Sequence, residues 1–320
     1  MALRLRERIN AHRIEKPLGG GKPFLKWAGG KAQLSDKIFE VFPQDVFQNE
    51  KLIYVEPFVG GGAILFRLLR GDAKIKKAVV NDINPALVAA YCCVRDEPEK
   101  LISELAAVER DYFSLSQDGD ARREFFLARR TEFNALTSRL RGNVGRDKIR
   151  VPALLIFLNR TCFNGLFRVN LRGEFNVPFG KYKNPKICDA DTIRADSFLL
   201  QNTEILCGDF EETLKYADGN ALFYLDPPYK PISETSSFNS YAQGGFDDEE
   251  QIRLREFCRR IDARGARWVL SNSDAYDAAG TSFFDRLYAG FNIRRVLASR
   301  MVNADPAKRG KLTEVLISNF

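Results

Sequence analysis

The sequence contains 320 residues, of which 45% are hydrophobic and 28% charged, a composition typical of a globular protein with a sizeable core. No segment reaches the roughly 20 consecutive apolar residues of a membrane span, and the N-terminus lacks the apolar stretch of a signal peptide. The single histidine, His12, and six cysteines without a C-x-x-C pair argue against a histidine-dependent hydrolase and a zinc site. We therefore expect a cytoplasmic protein that binds neither a membrane nor a metal ion.

The net charge of +7 is concentrated in one segment of the chain. Residues 121–186 contain 11 arginines and 4 lysines against 4 acidic residues, so this segment carries +11 and the remainder −4. A basic segment inside a slightly acidic chain is typical of a protein that binds a polyanion. The alternative is a helical surface whose charges serve only solvation.

The N-terminal residues 1–22 are polar and basic and include three consecutive glycines, which predicts a basic arm with a flexible joint. The next segment, FLKWAGGK, places two cations and an indole ring around a Gly-Gly turn: Lys26, Trp27 and Lys31. We expect Lys31 to pair with a carboxylate such as Asp226.

A strand, a glycine-rich turn and a helix follow one another at residues 51–69. Their order predicts the opening of a nucleotide-binding βαβ unit, although the turn EPFVGGG is neither a GxGxxG motif nor a triphosphate-binding loop. The next predicted strand, 78–82, ends in Asp82, about 20 residues after the turn, where such sites place a carboxylate on ribose hydroxyls. The alternative role for Asp82 is to cap the helix that begins near Pro85.

Residues 97–196 have a different pattern, with amphipathic helices predicted at 101–112 and 122–140. Within 159–182, paired aromatic residues, Asn-Gly and Arg-Gly-Glu turns and regularly spaced arginines predict a β-hairpin suited to base edges and phosphates. The alternative is a hairpin that only covers the core.

The α/β pattern then resumes, with predicted strands at 203–206, 221–225, 268–271 and 312–320, a helix at 247–263 and a mobile loop at 232–245. The strand 221–225 ends in Asp226-Pro227-Pro228-Tyr229, at the edge of the sheet where ligands bind. A carboxylate and a neighbouring peptide carbonyl can accept both hydrogens of an exocyclic amino group, while a tyrosine ring stacks on the attached base. The alternative is a tight turn capped by Asp226.

Five segments together resemble the Dam-type (D12 class) DNA adenine-N6 methyltransferases: FLKWAGGK, VEPFVGGG, NDIN, NGLFRVNLRGEFNVPFG and DPPY. They occur in the order of that family and cover the chain from about residue 24 to its end. The resemblance implies a Rossmann-like S-adenosylmethionine-dependent methyltransferase sheet formed by 23–96 and 197–320. Residues 97–196 would be an inserted helical and β-hairpin domain that recognises DNA.

The resemblance also implies the residues of the active site. Asp226, Pro227, Pro228 and Tyr229 would hold an adenine rotated out of the duplex and promote attack of its N6 on the sulfonium methyl group. Asp82 would bind the ribose and Asp209 with Phe210 the adenine of S-adenosylmethionine, within the cofactor set Trp27, Lys31, Glu56, Pro57, Phe58, Gly60, Asp82, Ile83, Asp209, Phe210 and Asp226.

For the DNA, the resemblance places Arg168 and Lys26 on guanines, Leu166 and Pro178 on thymine methyl groups, and Phe163 in the gap left by the rotated base. The full DNA-binding set is Lys26, Phe163, Asn164, Leu166, Arg168, Asn170, Arg172, Pro178, Lys181 and Tyr182. Lys181 stands where some members carry arginine, and lysine cannot form a two-pronged contact.

The resemblance favours GATC as the target. We expect a monomer associated with the nucleoid, and three contexts stay open: a cognate restriction endonuclease as a functional partner, a phage role, or regulation of a host. Three alternatives stay open: the same chemistry on another target sequence or another amino group (N4 of cytosine or an RNA adenine), a catalytically silent DNA-binding relative, or a nicotinamide dehydrogenase. The glycine pattern argues against the dehydrogenase. A duplex-reading hairpin argues against RNA, because the major groove of RNA is too deep and narrow.

Overall fold

The computed structural model describes residues 20–27, 31, 34–71, 73–117, 120–138, 148–231, 246–276, 280–299 and 311–320. Seven strands in these residues form one sheet: β1 (Leu52–Glu56), β2 (Ile75–Asp82), β3 (Thr203–Cys207), β4 (Ala221–Leu225), β5 (Arg267–Ser273), β6 (Asn292–Ser299) and β7 (Lys311–Ser318). The α-helices of the described residues are α1 (Ser35–Val41), α2 (Ala63–Arg70), α3 (Pro85–Asp96), α4 (Pro98–Ser114), α5 (Asp120–Thr137), α6 (Arg150–Thr161), α7 (Ala190–Leu200), α8 (Asp248–Asp262) and α9 (Phe283–Leu287).

The strand order is β3-β2-β1-β4-β5-β7-β6. The first five strands are parallel, and β7 runs antiparallel to both of its neighbours. The chain moves outward from β1 to β3 and then crosses back to β4, so the strand order reverses between β1 and β4. Ligands bind beside such a reversal, at the carboxyl ends of the strands. The predicted Rossmann-like α/β sheet is confirmed.

Neighbouring strand residues face two separate hydrophobic clusters, because side chains alternate across a sheet. Tyr54 lies in the cluster that also contains Leu154 of α6, whereas Val55 lies in the cluster with Phe257 of α8 and Trp268 of β5. One face of the sheet therefore shares a continuous core with the helices of residues 97–196.

The predicted boundary between 196 and 197 falls inside α7, which contacts both α3 and α4. The division into a catalytic sheet and an inserted domain stays a prediction, but its second boundary does not coincide with the end of an element. The predicted helix at 122–140 begins earlier, and its last residue, Leu140, lies outside the described residues.

Of the described strands and α-helices, five were not predicted from the sequence: α1, α6, α7, α9 and β6. Residues 151–159 of α6 are all buried, so the helix has no polar face to give a helical periodicity. The edge strand β6 contains Arg294 and Arg295 and alternates only weakly in hydrophobicity. The predicted arm is described only from residue 20, and the predicted loop at 232–245 lies outside the described residues. Among the helices that are described, none is long and apolar enough to cross a membrane.

Candidate active site

The tips of three strands are joined by one buried side chain, Asn81, near the end of β2. It is 1% exposed, and its Nδ2 donates to the carbonyl oxygens of Pro57 at 3.1 Å and Gly208 at 3.0 Å. Asn81 therefore fixes the loops that follow β1 and β3 against the end of β2. No local sequence signal distinguishes Asn81, although it precedes the predicted ligand Asp82.

The glycine-rich turn after β1 contacts both Trp27 and Asp82. Gly60 has a positive φ of 47°, and a Cβ atom at this position would lie 2.9 Å from the indole ring of Trp27. Its backbone N–H donates to Asp82 Oδ2 at 3.1 Å. Glycine is required here both for the left-handed backbone and for the close approach of the ring. Three residues of the predicted cofactor set are thus brought together.

Asp82 is held by backbone groups, and it does not cap α3. Its Oδ1 accepts from the N–H of Asn84 at 2.9 Å, and Asn84 itself caps α3 by accepting from the N–H groups of Ala86 and Leu87. The capping role considered for Asp82 is therefore wrong. Burial raises the pKa of Asp82, while its backbone N–H donors oppose the increase. The next residue, Ile83, is 78% exposed, an unusual degree for an isoleucine.

Glu56 at the tip of β1 is a buried carboxyl group, 2% exposed. Tyr54 donates its hydroxyl hydrogen to Glu56 Oε2 at 2.8 Å. Burial raises the pKa of Glu56 well above its usual value, and the neighbouring charge of Asp226 adds to this increase.

Asp209, after β3, is paired with an arginine that the sequence analysis did not consider. Both oxygens of Asp209 accept from Arg253 of α8, at 2.9 and 2.8 Å, and this contact lowers the pKa of Asp209. The guanidinium carbon of Arg253 lies 4.2 Å from the centre of the Phe210 ring. Phe210 is buried and packs against Phe58, with ring centres 5.2 Å apart. Asp209, Phe210 and Phe58 therefore form one local cluster.

The Asp226 carboxylate, directly after β4, makes two close polar contacts through one oxygen. Its Oδ1 lies 2.9 Å from the buried ammonium group of Lys31 and accepts from the Ser271 hydroxyl at 2.9 Å. The Lys31 ammonium also lies 4.2 Å from the centre of the Tyr229 ring. The predicted pairing of Lys31 with Asp226 is confirmed, and the contacts do not correspond to a carboxylate that caps its own turn.

Side chains of neighbouring elements fix the rest of the loop 226–230. The Tyr229 hydroxyl donates to Glu314 of β7 at 2.6 Å. Three polar residues bind its backbone: Gln251 donates to the Pro228 carbonyl at 3.2 Å, Asn272 accepts from the Lys230 N–H at 3.1 Å, and Ser273 donates to the Lys230 carbonyl at 2.6 Å. Among the described residues, neither Asp226 Oδ2 nor the Pro227 carbonyl oxygen takes part in a hydrogen bond. Two adjacent acceptors are therefore left on a loop that is otherwise fixed.

The predicted hairpin forms a turned segment with isolated bridges, Val169 with Phe175 and Cys162 with Phe179, and not a regular two-stranded ladder. Asn170 builds its tip: Oδ1 accepts from the N–H groups of Arg172 and Glu174, and Nδ2 donates to the Glu174 carboxylate. The Asn170 side chain therefore shapes the turn, and the exposed residues Leu171 and Arg172 project from it.

Several residues of the predicted DNA-binding set surround Tyr182. Its hydroxyl accepts from the N–H of Asn164 at 3.0 Å, and the Lys26 ammonium lies 5.1 Å from its ring centre. Asn164 and Lys181 both have a positive φ of 54°, and the Phe163 side chain is 51% exposed. Of the others, Pro178 and Arg168 are exposed, Arg168 donates to Asn176 at 2.7 Å, and Leu166 packs partly buried against the core.

Asn159 of α6, which the sequence analysis missed, connects the N-terminal segment to this surface. It is 2% exposed; its Oδ1 accepts from the Lys26 N–H at 2.8 Å, and its Nδ2 donates to the carbonyls of Lys26 at 2.7 Å and Gly165 at 2.9 Å. Trp27 in turn stacks on Phe167, with ring centres 5.4 Å apart. The predicted cofactor and DNA residues therefore belong to one packed unit.

Part of the positive charge of residues 121–186 is internal to the protein. Arg122 is 4% exposed and donates to the Lys183 carbonyl, Arg150 pairs with Glu132 and Glu104, and Arg160 donates to the Phe24 carbonyl. The surface charge near the hairpin is therefore smaller than the segment total of +11 suggests. No cluster of three or more metal-ligating side chains occurs among the described residues.

A largely parallel sheet that carries acidic residues beside its strand tips, with a fixed Asp-Pro-Pro-Tyr loop at the reversal of strand order, is the arrangement expected for a methyltransferase. The family of D12 class N6 adenine-specific DNA methyltransferases matches residues 27–302. The chain belongs to this family and is an adenine-specific DNA methyltransferase.

Three relatives extend over nearly the whole chain. The type II methyltransferase M.MjaIII of Methanocaldococcus jannaschii is 46% identical over 300 residues, which are 93% of this chain and 99% of the relative. The type II methyltransferase M1.LlaDCHI of Lactococcus lactis is 37% identical, with 93% and 95% covered. The DNA adenine methylase of Haemophilus influenzae is 32% identical, with 94% of each chain covered.

Proposed function

We propose that this enzyme transfers a methyl group from S-adenosylmethionine to N6 of an adenine rotated out of duplex DNA. The observation that carries the proposal is the pair of acceptors, Asp226 Oδ2 and the Pro227 carbonyl, on a loop that its neighbours hold in place. An exocyclic amino group has two hydrogens, and two adjacent acceptors match it. An adenine inside a duplex could not reach this loop, so the base has to leave the stack.

The two acceptors also account for the chemistry. The lone pair of the adenine N6 is delocalised into the ring, so the amino group is a poor nucleophile. Hydrogen bonds from both amino hydrogens favour a pyramidal nitrogen, which makes the lone pair available for attack. As the nitrogen–methyl bond forms, the methyl–sulfur bond breaks and S-adenosylhomocysteine leaves. The positive charge that develops on the nitrogen is stabilised by the Asp226 carboxylate, whose orientation is already fixed before the reaction, and the amino proton is then released to solvent. The Tyr229 ring, held by Glu314, provides a surface on which the base stacks.

The residues beside the strand tips fit S-adenosylmethionine. The turn at Gly60 packs directly against Trp27 and is bonded to Asp82. Asp82 offers acceptors for ribose hydroxyls, and the exposed Ile83 offers an apolar surface for adenine. The Asp209 carboxylate is already paired with Arg253. We therefore propose that Asp209 holds the loop after β3 in place and also makes the predicted contact with the adenine of the cofactor. When bound, S-adenosylmethionine supplies an electrophilic methyl group.

We propose GATC as the target sequence, read by Arg168 and Lys26 in the major groove. Support comes from the hairpin motif, from the exposure of Arg168, and from the position of the Lys26 ammonium beside Tyr182, which also binds the N–H of Asn164. One chain supplies both the amino-group acceptors and the reading surface, so we propose that it acts as a monomer. Because its substrate is DNA, we also propose that it acts in the cytoplasm, where the chromosome is. The names of two relatives, type II methyltransferases, support pairing with a restriction endonuclease.

Transfer of tritiated methyl groups from S-adenosylmethionine to matched duplexes with and without GATC, followed by nucleoside digestion, tests these proposals. We expect label in N6-methyladenine and only in the GATC duplex. Label in N6-methyladenine of another sequence would refute the assignment of the target. Label in N4-methylcytosine would refute the adenine pocket, and transfer to an RNA of the same sequence in place of the duplexes would refute duplex DNA as the substrate. No transfer at all would leave a silent DNA-binding relative.

A further inference from the structure

A buried chain of two hydroxyl groups ends on the catalytic carboxylate. Ser271 of β5 donates to Asp226 Oδ1 at 2.9 Å, and its Oγ lies 3.0 Å from the Tyr224 hydroxyl oxygen. A serine hydroxyl has a single hydrogen, and here it points to Asp226, so Tyr224 must be the donor to Ser271. The chain therefore runs in one direction, from Tyr224 to Ser271 to Asp226, and each donor polarises the next.

The sheet register places this chain beside the loop. Leu225 of β4 pairs with Leu270 of β5, so Ser271 and Asp226 are the next residues on two adjacent parallel strands. Tyr224 and Ser271 are both 0% exposed, and the contact therefore excludes solvent. The Lys31 ammonium approaches the same oxygen at 2.9 Å.

A carboxylate whose oxygens have no fixed donors can rotate about its Cβ–Cγ bond and exchange them. Two donors that converge on Oδ1 oppose this rotation, and Oδ2 remains the oxygen available to an amino group. We propose that Ser271 is a positioning residue for the methyl transfer: it accepts a hydrogen bond from the Tyr224 hydroxyl, donates one to Asp226 Oδ1, and so fixes the orientation of the Asp226 carboxylate. This inference rests on the proposed function, because it assigns Asp226 Oδ2 to the amino group of the target.

The test uses single-turnover methyl transfer, binding of S-adenosylmethionine and DNA, and thermal unfolding for the wild type and three variants. Ser271→Ala removes the last donor of the chain and should lower the transfer rate by about 10- to 100-fold, the range expected for one hydrogen bond to a charged group. Its affinities for both substrates should stay within about twofold of the wild type, since Ser271 contacts neither. Ser197→Ala is the control: this buried serine donates to the Arg95 carbonyl, far along the chain from the loop 226–230, and its loss should leave the rate unchanged.

The double variant Ser271→Ala with Tyr224→Phe separates positioning from stability. Ser271→Ala leaves the Tyr224 hydroxyl buried without its acceptor, and Tyr224→Phe removes that hydroxyl, so the double variant should regain thermal stability. The transfer rate should stay as low as in Ser271→Ala, because the donor to Asp226 is still missing. If Ser271→Ala does not fold, the transfer rate of the double variant alone decides whether Ser271 positions the Asp226 carboxylate.

A rate within twofold of the wild type in Ser271→Ala would overturn the inference. Recovery of the rate together with stability in the double variant would also overturn it, since the role would then be purely structural. Failure of the proposed function looks different: the wild-type enzyme itself would transfer no methyl group to adenine in any duplex, and the inference would fall with it.

Discussion

Asn159→Ala is predicted to uncouple the N-terminal segment from the recognition surface. The substitution removes three hydrogen bonds, two to the backbone of Lys26 and one to the carbonyl of Gly165, and leaves these backbone groups without their partner. At about 1 kcal/mol for each bond, the free energy of unfolding should fall by about 3 kcal/mol. The entropy of unfolding grows with chain length, so for a chain of 320 residues this loss of free energy corresponds to a fall in Tm of about 4 °C.

The functional consequence concerns Lys26, which we propose reads a guanine. When the backbone of Lys26 is no longer fixed to α6, its ammonium group should sample several positions, and discrimination at that guanine should fall by about 1 to 3 kcal/mol. The assay is the ratio of methylation rates on GATC and on a duplex in which that one base pair is replaced, together with thermal unfolding by circular dichroism.

Asn134→Ala is the matched control. Asn134 of α5 also binds the hairpin backbone, by accepting from the N–H of Phe175 at 2.8 Å and donating to its carbonyl at 3.1 Å, but it does not contact Lys26. It should destabilise the protein by a similar amount without changing discrimination at the Lys26 guanine. The reasoning would be refuted if Asn159→Ala unfolded within 1 °C of the wild type, or if both variants lost discrimination at that base pair equally.

Asp226→Asn should lower methyl transfer by about 10²- to 10³-fold with nearly unchanged DNA binding, because the charge opposite the developing cation is lost; retained turnover would remove Asp226 from the mechanism. Gly60→Ala places a methyl group against Trp27 in a left-handed backbone and should weaken S-adenosylmethionine binding about 10-fold, which equilibrium dialysis measures; unchanged affinity would contradict the proposed cofactor site. Asp196 is fully buried, accepts from the Lys22 N–H, and has a pKa raised by burial to about 8. Its folded-state pKa exceeds the unfolded value, so its contribution to stability is greatest below about pH 4 and decreases as the pH rises towards 8. The Asp196→Asn variant lacks this titrating group. Its free energy of unfolding in urea, relative to that of the wild type, should therefore rise by about 3 kcal/mol between pH 5 and pH 7. A difference between the two free energies that does not change with pH would show that Asp196 does not titrate in this range.

The sequence predicted the central strands and the residues at their ends because those signals are local. The apolar run before Asp226 and the alternation before Glu56 are properties of a few neighbouring residues, and the sheet contains both strands with nearly the predicted bounds. The glycine-rich turn after the first strand was likewise recognisable from the sequence alone, although the close contact of Gly60 with Trp27 was not.

The residues that the sequence analysis missed act through distant contacts. Asn81, Asn159 and Arg253 are separated from at least one of their partners by 127, 133 and 44 residues, respectively, and no local pattern distinguishes them from other polar residues. The buried helix α6 gave no periodic signal for a related reason, since its environment is apolar on every side. The hydrogen bonds by which Asn170 builds the hairpin tip were also not predicted, and its predicted contact with DNA stays a prediction.

Four carboxyl groups follow one another along the edge of the sheet, and their partners differ in a way that separates their roles. Arg253 binds Asp209, and Lys31 binds Asp226, so each of these acids has a cation in contact with it. Glu56 and Asp82 are instead held by a tyrosine hydroxyl and by backbone N–H groups, and burial raises the pKa of both.

A carboxyl group with a raised pKa is stabilised as an anion when a positive charge arrives beside it. S-adenosylmethionine carries positive charges on its sulfonium and amino groups, and the turn that contains Glu56 leads directly to the proposed cofactor site. The two acids without a cation among their described hydrogen-bond partners are thus the ones expected to gain most from cofactor binding. Asp226 is already oriented by Lys31 and Ser271, so its free oxygen is available to the amino group of the base. We therefore propose that the strand tips separate binding of the cationic cofactor from activation of the neutral adenine, although all four positions carry the same kind of functional group.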